Sequence, residues 1–123
     1  MNALLAVMAG GAIGAGGRYG VGLALSALVA NPFPWATLAV NLVGGLVMGL
    51  LAGLLARGGD TELLRLFFGV GILGGFTTFS AFGLEVVTLI ERGQALLALS
   101  YVAASVMGTV GLTMVGLNLV RGA

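Results

Sequence analysis

Apolar residues fill four long stretches of the chain, and short polar or proline-bearing segments separate them. The first stretch covers about Ala3 to Val29, interrupted by Arg18. Asn31-Pro32-Phe33-Pro34 follows as a turn, because each proline disfavours helix in the residue before it. The second stretch opens at Trp35, a residue suited to a membrane interface, and ends near Ala56. Arg57-Gly58-Gly59-Asp60 is the longest polar connection. The third runs from about Leu63 to Ile90 and is closed by Glu91-Arg92-Gly93-Gln94, and the fourth runs from about Ala95 to Val120. A bilayer core of about 30 Å needs about 20 apolar helical residues. The pattern therefore predicts an all-α membrane protein, with four transmembrane helices in one domain over residues 1–123.

The third stretch departs from a plain span. As one helix, Leu63 to Ile90 would extend about 42 Å at 1.5 Å per residue. Its centre reads Gly74-Gly75-Phe76-Thr77-Thr78-Phe79-Ser80-Ala81-Phe82. Two glycines and two β-branched threonines weaken helix there. The expectation is a helix broken near its middle, with its freed backbone groups buried, hydrated or bound to an ion. Tilt is the other way to absorb the excess length. Phe79 and Phe82, three apart, would share a helix face. Their rings can pack as core, present positive edges to an anion, or present negative faces to a cation.

Composition narrows the function. Of 123 residues, 59% are hydrophobic and 7% charged, against about 25% charged in a soluble domain. There is no cysteine or histidine and no lysine, which removes the usual zinc, iron–sulfur and haem ligands, disulfides, thiol nucleophiles and a phosphate-binding lysine. A net charge of +1 offers no basic surface to a nucleic acid. Gly69-Val70-Gly71-Ile72-Leu73-Gly74 matches G-x-G-x-x-G, but it lies inside an apolar span without a strand before it, so nucleotide binding is rejected. The segment Met1 to Gly17 lacks a basic start, and its apolar run continues, so it reads as a retained span rather than a signal peptide. Nothing in these residues points to an enzyme.

Charge is also nearly even across the membrane. Four spans put both termini on one side, with Arg57, Arg65 and Arg121, while Arg92 and the nearer Arg18 serve the other. So weak a bias permits insertion in both orientations, hence an antiparallel homodimer; it also follows simply from having few charges. Glycines recur every four residues at Gly45, Gly49 and Gly53, at Gly10 and Gly14, at Gly16 and Gly20, and at Gly71 and Gly75. Such seams let helices approach closely in lipid.

Polar residues inside the spans form tracks. Tyr101, Ser105, Thr109 and Thr113 recur every four residues, one hydroxyl per turn. They can serve as a ladder of neutral donors or bond back to their own helix. Asn41, amid apolar neighbours, needs an interhelical partner or a hydrated pathway. Arg18 and Glu85 lie off-centre, where snorkelling to an interface accounts for each.

Together these residues resemble the Fluc (also called CrcB) fluoride channel family. The first-span pattern G-G-x-x-G-A-x-x-R-Y stands from Gly10 to Tyr19, and the second-span asparagine motif from Trp35 to Asn41, followed by Gly44. The third-span G-G-x-T-T-F-S-x-F stands from Gly74 to Phe82, with Glu85 after it, and Tyr101 and Ser105 match the fourth-span track. Ala81 stands where the family often has threonine. The resemblance implies a passive, selective fluoride exporter in a bacterial or archaeal cytoplasmic (inner) membrane, built as an antiparallel dual-topology homodimer with two pores. It further implies that Asn41, Phe79, Ser80, Phe82, Tyr101, Ser105 and Thr109 line the fluoride path. The carbonyls of Gly74 and Thr77, from both subunits, would hold a structural sodium ion, and Arg18 and Glu85 would serve architecture or the vestibule. The competing reading is a coupled exporter of cationic compounds of the small multidrug resistance type, which relies on a first-span glutamate that this chain lacks. A scaffold protein held by glycine seams is a third.

Overall fold

The computed structural model describes residues 2–122, so Met1 and Ala123 of the expected 1–123 domain lie outside the described residues. All regular elements among the described residues are helical. Helix α1 (Ala3–Leu28) starts where the Asn2 side chain accepts the Leu4 N–H at 2.7 Å, and it ends as Val29 turns extended. The segment with Pro32 and Pro34 redirects the chain, and α2 (Trp35–Leu55) follows. Next comes α3 (residues 62–76), a composite of an α-turn Glu62–Leu64, a π-helical stretch Arg65–Leu73 and a second turn Gly74–Phe76. After a break come α4 (Ser80–Glu91) and α5 (Ala95–Arg121). Gly58, Gly59 and Gly93 have φ of 106°, 94° and 77° in the two polar turns, a backbone region that side-chain-bearing residues avoid.

The helices pack as two parallel pairs. On α1, a Cβ at Gly10 would lie 3.0 Å from the Gly71 Cα, and one at Gly14 would lie 2.8 Å from the Phe76 amide nitrogen. These backbones therefore touch, with α1 running along α3. On α2, Gly45 meets Thr109, Gly49 meets Thr113 and Leu117, and Gly53 meets Val120, so α2 runs along α5. Arg57 fastens the end of that pair by donating from Nη2 to the Val120 carbonyl at 2.7 Å. The expected seams at Gly10 and Gly14, at Gly71 and at Gly45, Gly49 and Gly53 are thus used. Gly16 and Gly20 face open space within the chain.

Among the described residues, three helices are long and apolar enough to cross a membrane: Trp35–Leu55, the broken run Glu62–Glu91 and Ala95–Arg121. Helix α1 has 26 residues but is not among them, and Arg18 and its glycines dilute its hydropathy. Large apolar side chains cover the outside, with Leu28, Leu96 and Met107 exposed, as lipid rather than water would allow. The core is small and sits where α4 and α5 meet, around Phe82, Leu89, Ala98 and Tyr101.

The break in the third span falls later than the glycine pair suggests. Gly74, Gly75 and Phe76 remain helical, and Thr77–Phe79 leave the helix. Gly75 owes its identity to packing, since a Cβ there would lie 2.5 Å from the Gly11 carbonyl and 3.0 Å from the Ala15 nitrogen. The threonines make the break instead. A second departure is the π-winding over Arg65–Leu73, which hydropathy does not announce.

Candidate functional site

The break is held by side chains from two other helices. Thr77 directs both its N–H (3.0 Å) and its hydroxyl (2.8 Å) to the Leu73 carbonyl, and its backbone then turns extended. In a continuous helix the Thr78 N–H would serve the Gly74 carbonyl. Here it donates to Asn41 Oδ1 at 2.9 Å, and Asn41 Nδ2 donates back to the Thr78 carbonyl at 3.0 Å. The Ala81 N–H, whose helical acceptor would be the Thr77 carbonyl, donates to Thr78 Oγ1 at 3.2 Å. From α1, Arg18 Nε donates to the Gly75 carbonyl at 3.1 Å. The helical donors of Gly74 and Thr77 are thus diverted, while Gly75 and Thr78 have side-chain partners.

Beside the break lies a groove of about 410 Å³ between α2, the break, α4 and α5. Asn41, Gly44, Gly45, Thr77, Thr78, Phe79, Phe82, Ser105, Thr109 and Thr113 line it. An asparagine amide carries two donor hydrogens, and Asn41 spends one on Thr78, so the second remains for the groove. The Ser105 hydroxyl is buried and has no hydrogen-bond partner among the described residues. A buried hydroxyl without a partner is costly, by about 1–3 kcal/mol, and marks a place where something else bonds to it. The Thr113 hydroxyl is 3.0 Å from the Gly45 carbonyl and 2.8 Å from that of Thr109, and can donate to one at a time. The Phe79 and Phe82 rings stand 5.5 Å apart, so the pair expected to share a face does come together. Their surroundings differ sharply: Phe79 is 82% exposed, and Phe82 is 7% exposed against Tyr101.

Other expected site residues lie elsewhere. Tyr101 is fully buried and donates its hydroxyl to Glu85 Oε1 at 3.0 Å, outside the groove lining. Thr37 donates to Glu85 Oε2 at 2.9 Å. Glu85 therefore does not snorkel; two buried hydroxyls from α2 and α5 satisfy its two oxygens. Nor does Arg18, which is folded onto the break and lines a second cavity of about 280 Å³ with Tyr19, Thr37, Thr78 and Ala81. Ser80 is exposed, 3.5 Å from the Thr78 hydroxyl, and Gly74 does not line the groove. Thr37 was not anticipated. Its signal was a hydroxyl one helical turn before Asn41 in an otherwise apolar span.

Residues 5–117 match the family described as CrcB-like protein, Camphor Resistance (CrcB). The chain belongs to the CrcB family. Similar curated proteins carry the name fluoride-specific ion channel FluC. The one from Sphingopyxis alaskensis is 56% identical over 98% of this chain and 97% of its own length. That from Novosphingobium aromaticivorans is 51% identical over 99% and 98%, and that from Mesorhizobium japonicum 48% over 96% and 95%. This CrcB chain is accordingly a multi-pass membrane protein, and its family is one of channels rather than of enzymes.

Proposed function

We propose that this CrcB chain is a passive fluoride channel. Four spans would cross the cytoplasmic membrane of a bacterium or archaeon, and two copies would assemble antiparallel with two pores. The observation that carries the reading is the buried Ser105 hydroxyl, without a partner among the described residues, which shares a groove with Thr109, a spare Asn41 N–H and the two phenylalanine rings. Fluoride is small and strongly hydrated, so a pore must replace its water with many donors. Neutral hydroxyls, an amide hydrogen and ring edges do so without a cationic side chain in direct contact that would trap the ion. In this reading Ser105 and Thr109 offer O–H groups, Asn41 offers N–H, and Phe79 and Phe82 offer ring edges. Tyr101 and Ser80 stand outside the groove lining, Tyr101 backing the Phe82 ring at 5.1 Å with its hydroxyl held by Glu85. The exposed Phe79 ring and the open side of the groove would be closed by a second copy. Hydrogen fluoride crosses lipid and ionises inside, and a negative-inside potential drives the anion out, so no energy source is required.

The sodium ion that the family resemblance implies fits the residues at the break. No group of three or more acidic side chains, histidines or cysteines stands together among the described residues, so a cation would rest on backbone oxygen. The hydrogen bonds that would occupy the Gly74 and Thr77 carbonyls in a continuous helix go to Asn41 and Thr78 Oγ1 instead. Hard cations take oxygen ligands, and helix-break carbonyls are where membrane proteins supply them. Gly74 and Thr77 would hold the ion, which when bound supplies a fixed charge joining the broken spans of two copies.

The test is efflux from liposomes containing the purified protein, read with a fluoride electrode, with chloride as control. A potassium ionophore should release fluoride and leave chloride inside. S105A should slow fluoride release by about tenfold or more, the equivalent of one lost hydrogen bond to an ion. No fluoride release from folded wild type, or full rates in S105A, would refute the reading.

A further inference from the structure

A peptide unit has a donor and an acceptor on opposite sides, and Asn41 holds one of them at a decisive place. The Thr78 N–H belongs to the same planar unit as the Thr77 carbonyl. Because that unit is trans, an acceptor fixed on the N–H aims the carbonyl the opposite way. Asn41 Oδ1 is that acceptor, at 2.9 Å. Its Nδ2 holds the next carbonyl, that of Thr78, at 3.0 Å, so the side chain grips two successive peptide units and lets neither rotate. Chains of hydrogen bonds also polarise one another, by about 10–30% per bond, which makes the Thr77 oxygen a stronger ligand for a cation.

We infer that Asn41 is a positioning residue for the cation site as well as a pore donor: through the Thr78 N–H it aims and polarises the Thr77 carbonyl. The grip is suited to the task because it comes from a separate rigid element. α2 lies against α5 along Gly45 and Gly49, so the side chain stands on a packed helix and not on the loop that it orders. The two functions of the amide divide by atom. Oδ1 serves the cation site, and the spare hydrogen on Nδ2 serves the groove. The inference rests on the reading that Gly74 and Thr77 hold sodium.

The two functions separate in two variants. N41D keeps an oxygen for the Thr78 N–H and, when ionised, loses every donor. N41L keeps neither. Equilibrium binding of radioactive sodium to purified protein in detergent, beside fluoride efflux from liposomes, reads them independently. N41L is expected to weaken sodium binding by about tenfold or more and to lose conduction. N41D is expected to hold sodium within about threefold of wild type while losing fluoride conduction. Equal sodium affinity in N41L and wild type would overturn the inference, as would an N41D chain as weak as N41L. Wild type without saturable sodium binding would instead remove the cation reading on which the inference stands. If N41L cannot be purified folded, N41S carries the same expectation, because its hydroxyl is too short to reach both groups.

Discussion

The α2–α5 seam gives the most direct test of how the fold is held. At Gly49, a Cβ would overlap the Thr113 carbonyl oxygen and stand 2.9 Å from the Leu117 nitrogen. Both obstacles are backbone within a 27-residue helix, so no side chain can swing away. In G49A the helices must part locally, and a gap of about 0.5–1 Å forfeits a quarter to a half of each dispersion contact along the seam. Overpacking of this kind costs about 1–3 kcal/mol. Lipid supplies no hydrophobic drive to offset that loss, since packing itself holds membrane helices together. The single tryptophan, Trp35, lies with its ring tilted 4.5 Å from that of Phe33 at the start of α2, and its fluorescence reports unfolding in mixtures of sodium dodecyl sulfate and mild detergent. G49A should unfold at lower dodecyl sulfate fraction by the stated energy. G111A, where a Cβ meets nothing within 4 Å, should match wild type. A G49A chain as stable as wild type, or a G111A chain as damaged as G49A, would refute the reasoning.

Two further outcomes follow from the same structure. Y101F and T37V each remove one hydroxyl from Glu85, and leaving a buried acceptor without its donor costs about 1–3 kcal/mol. Each should destabilise by about that amount in the tryptophan assay, and with E85Q the losses should fall short of additive, as shared networks do; strict additivity would show that the three do not act together. G93A places a Cβ at φ 77° and should cost about 1–2 kcal/mol, whereas G83A, in open space on a helix, should not destabilise.

The helices were legible because hydropathy, prolines and the Arg-Gly-Gly-Asp and Glu-Arg-Gly-Gln turns mark their ends in one dimension. The position of the break was not. Gly74-Gly75 looks like the weak point by intrinsic propensity, but tertiary packing against Gly11 and Ala15 keeps it helical, and the hydroxyl of Thr77 ends the helix one turn after Leu73. The four-residue spacing from Tyr101 to Thr113 locates a stripe, yet a stripe does not say what faces each rung. Tyr101 meets Glu85, Thr113 meets Gly45, and Ser105 meets no partner among the described residues. Those differences come from α2 and α4, remote in sequence. Asn41 is similar: its need for a partner is visible in an apolar span, but the choice of Thr78 depends on how α2 is set against the break.

The interrupted third span also has an electrical consequence. Two helix ends of opposite polarity meet across Thr77–Phe79: the carboxyl end of the 62–76 run and the amino end of Ser80–Glu91. Aligned peptide dipoles give such ends roughly −0.5 and +0.5 of an elementary charge. An unbroken helix would cancel these poles at the midpoint and display them only at the membrane surfaces. Cutting it brings both indoors, three residues apart, where the dielectric is low and screening is weak. The negative pole falls at Gly74–Phe76 and the positive pole at Ser80–Phe82. One span can thereby present opposite potentials with no charged side chain of its own between Arg65 and Glu85, while Arg18 of α1 sets a positive charge on the Gly75 carbonyl and offsets part of the negative pole.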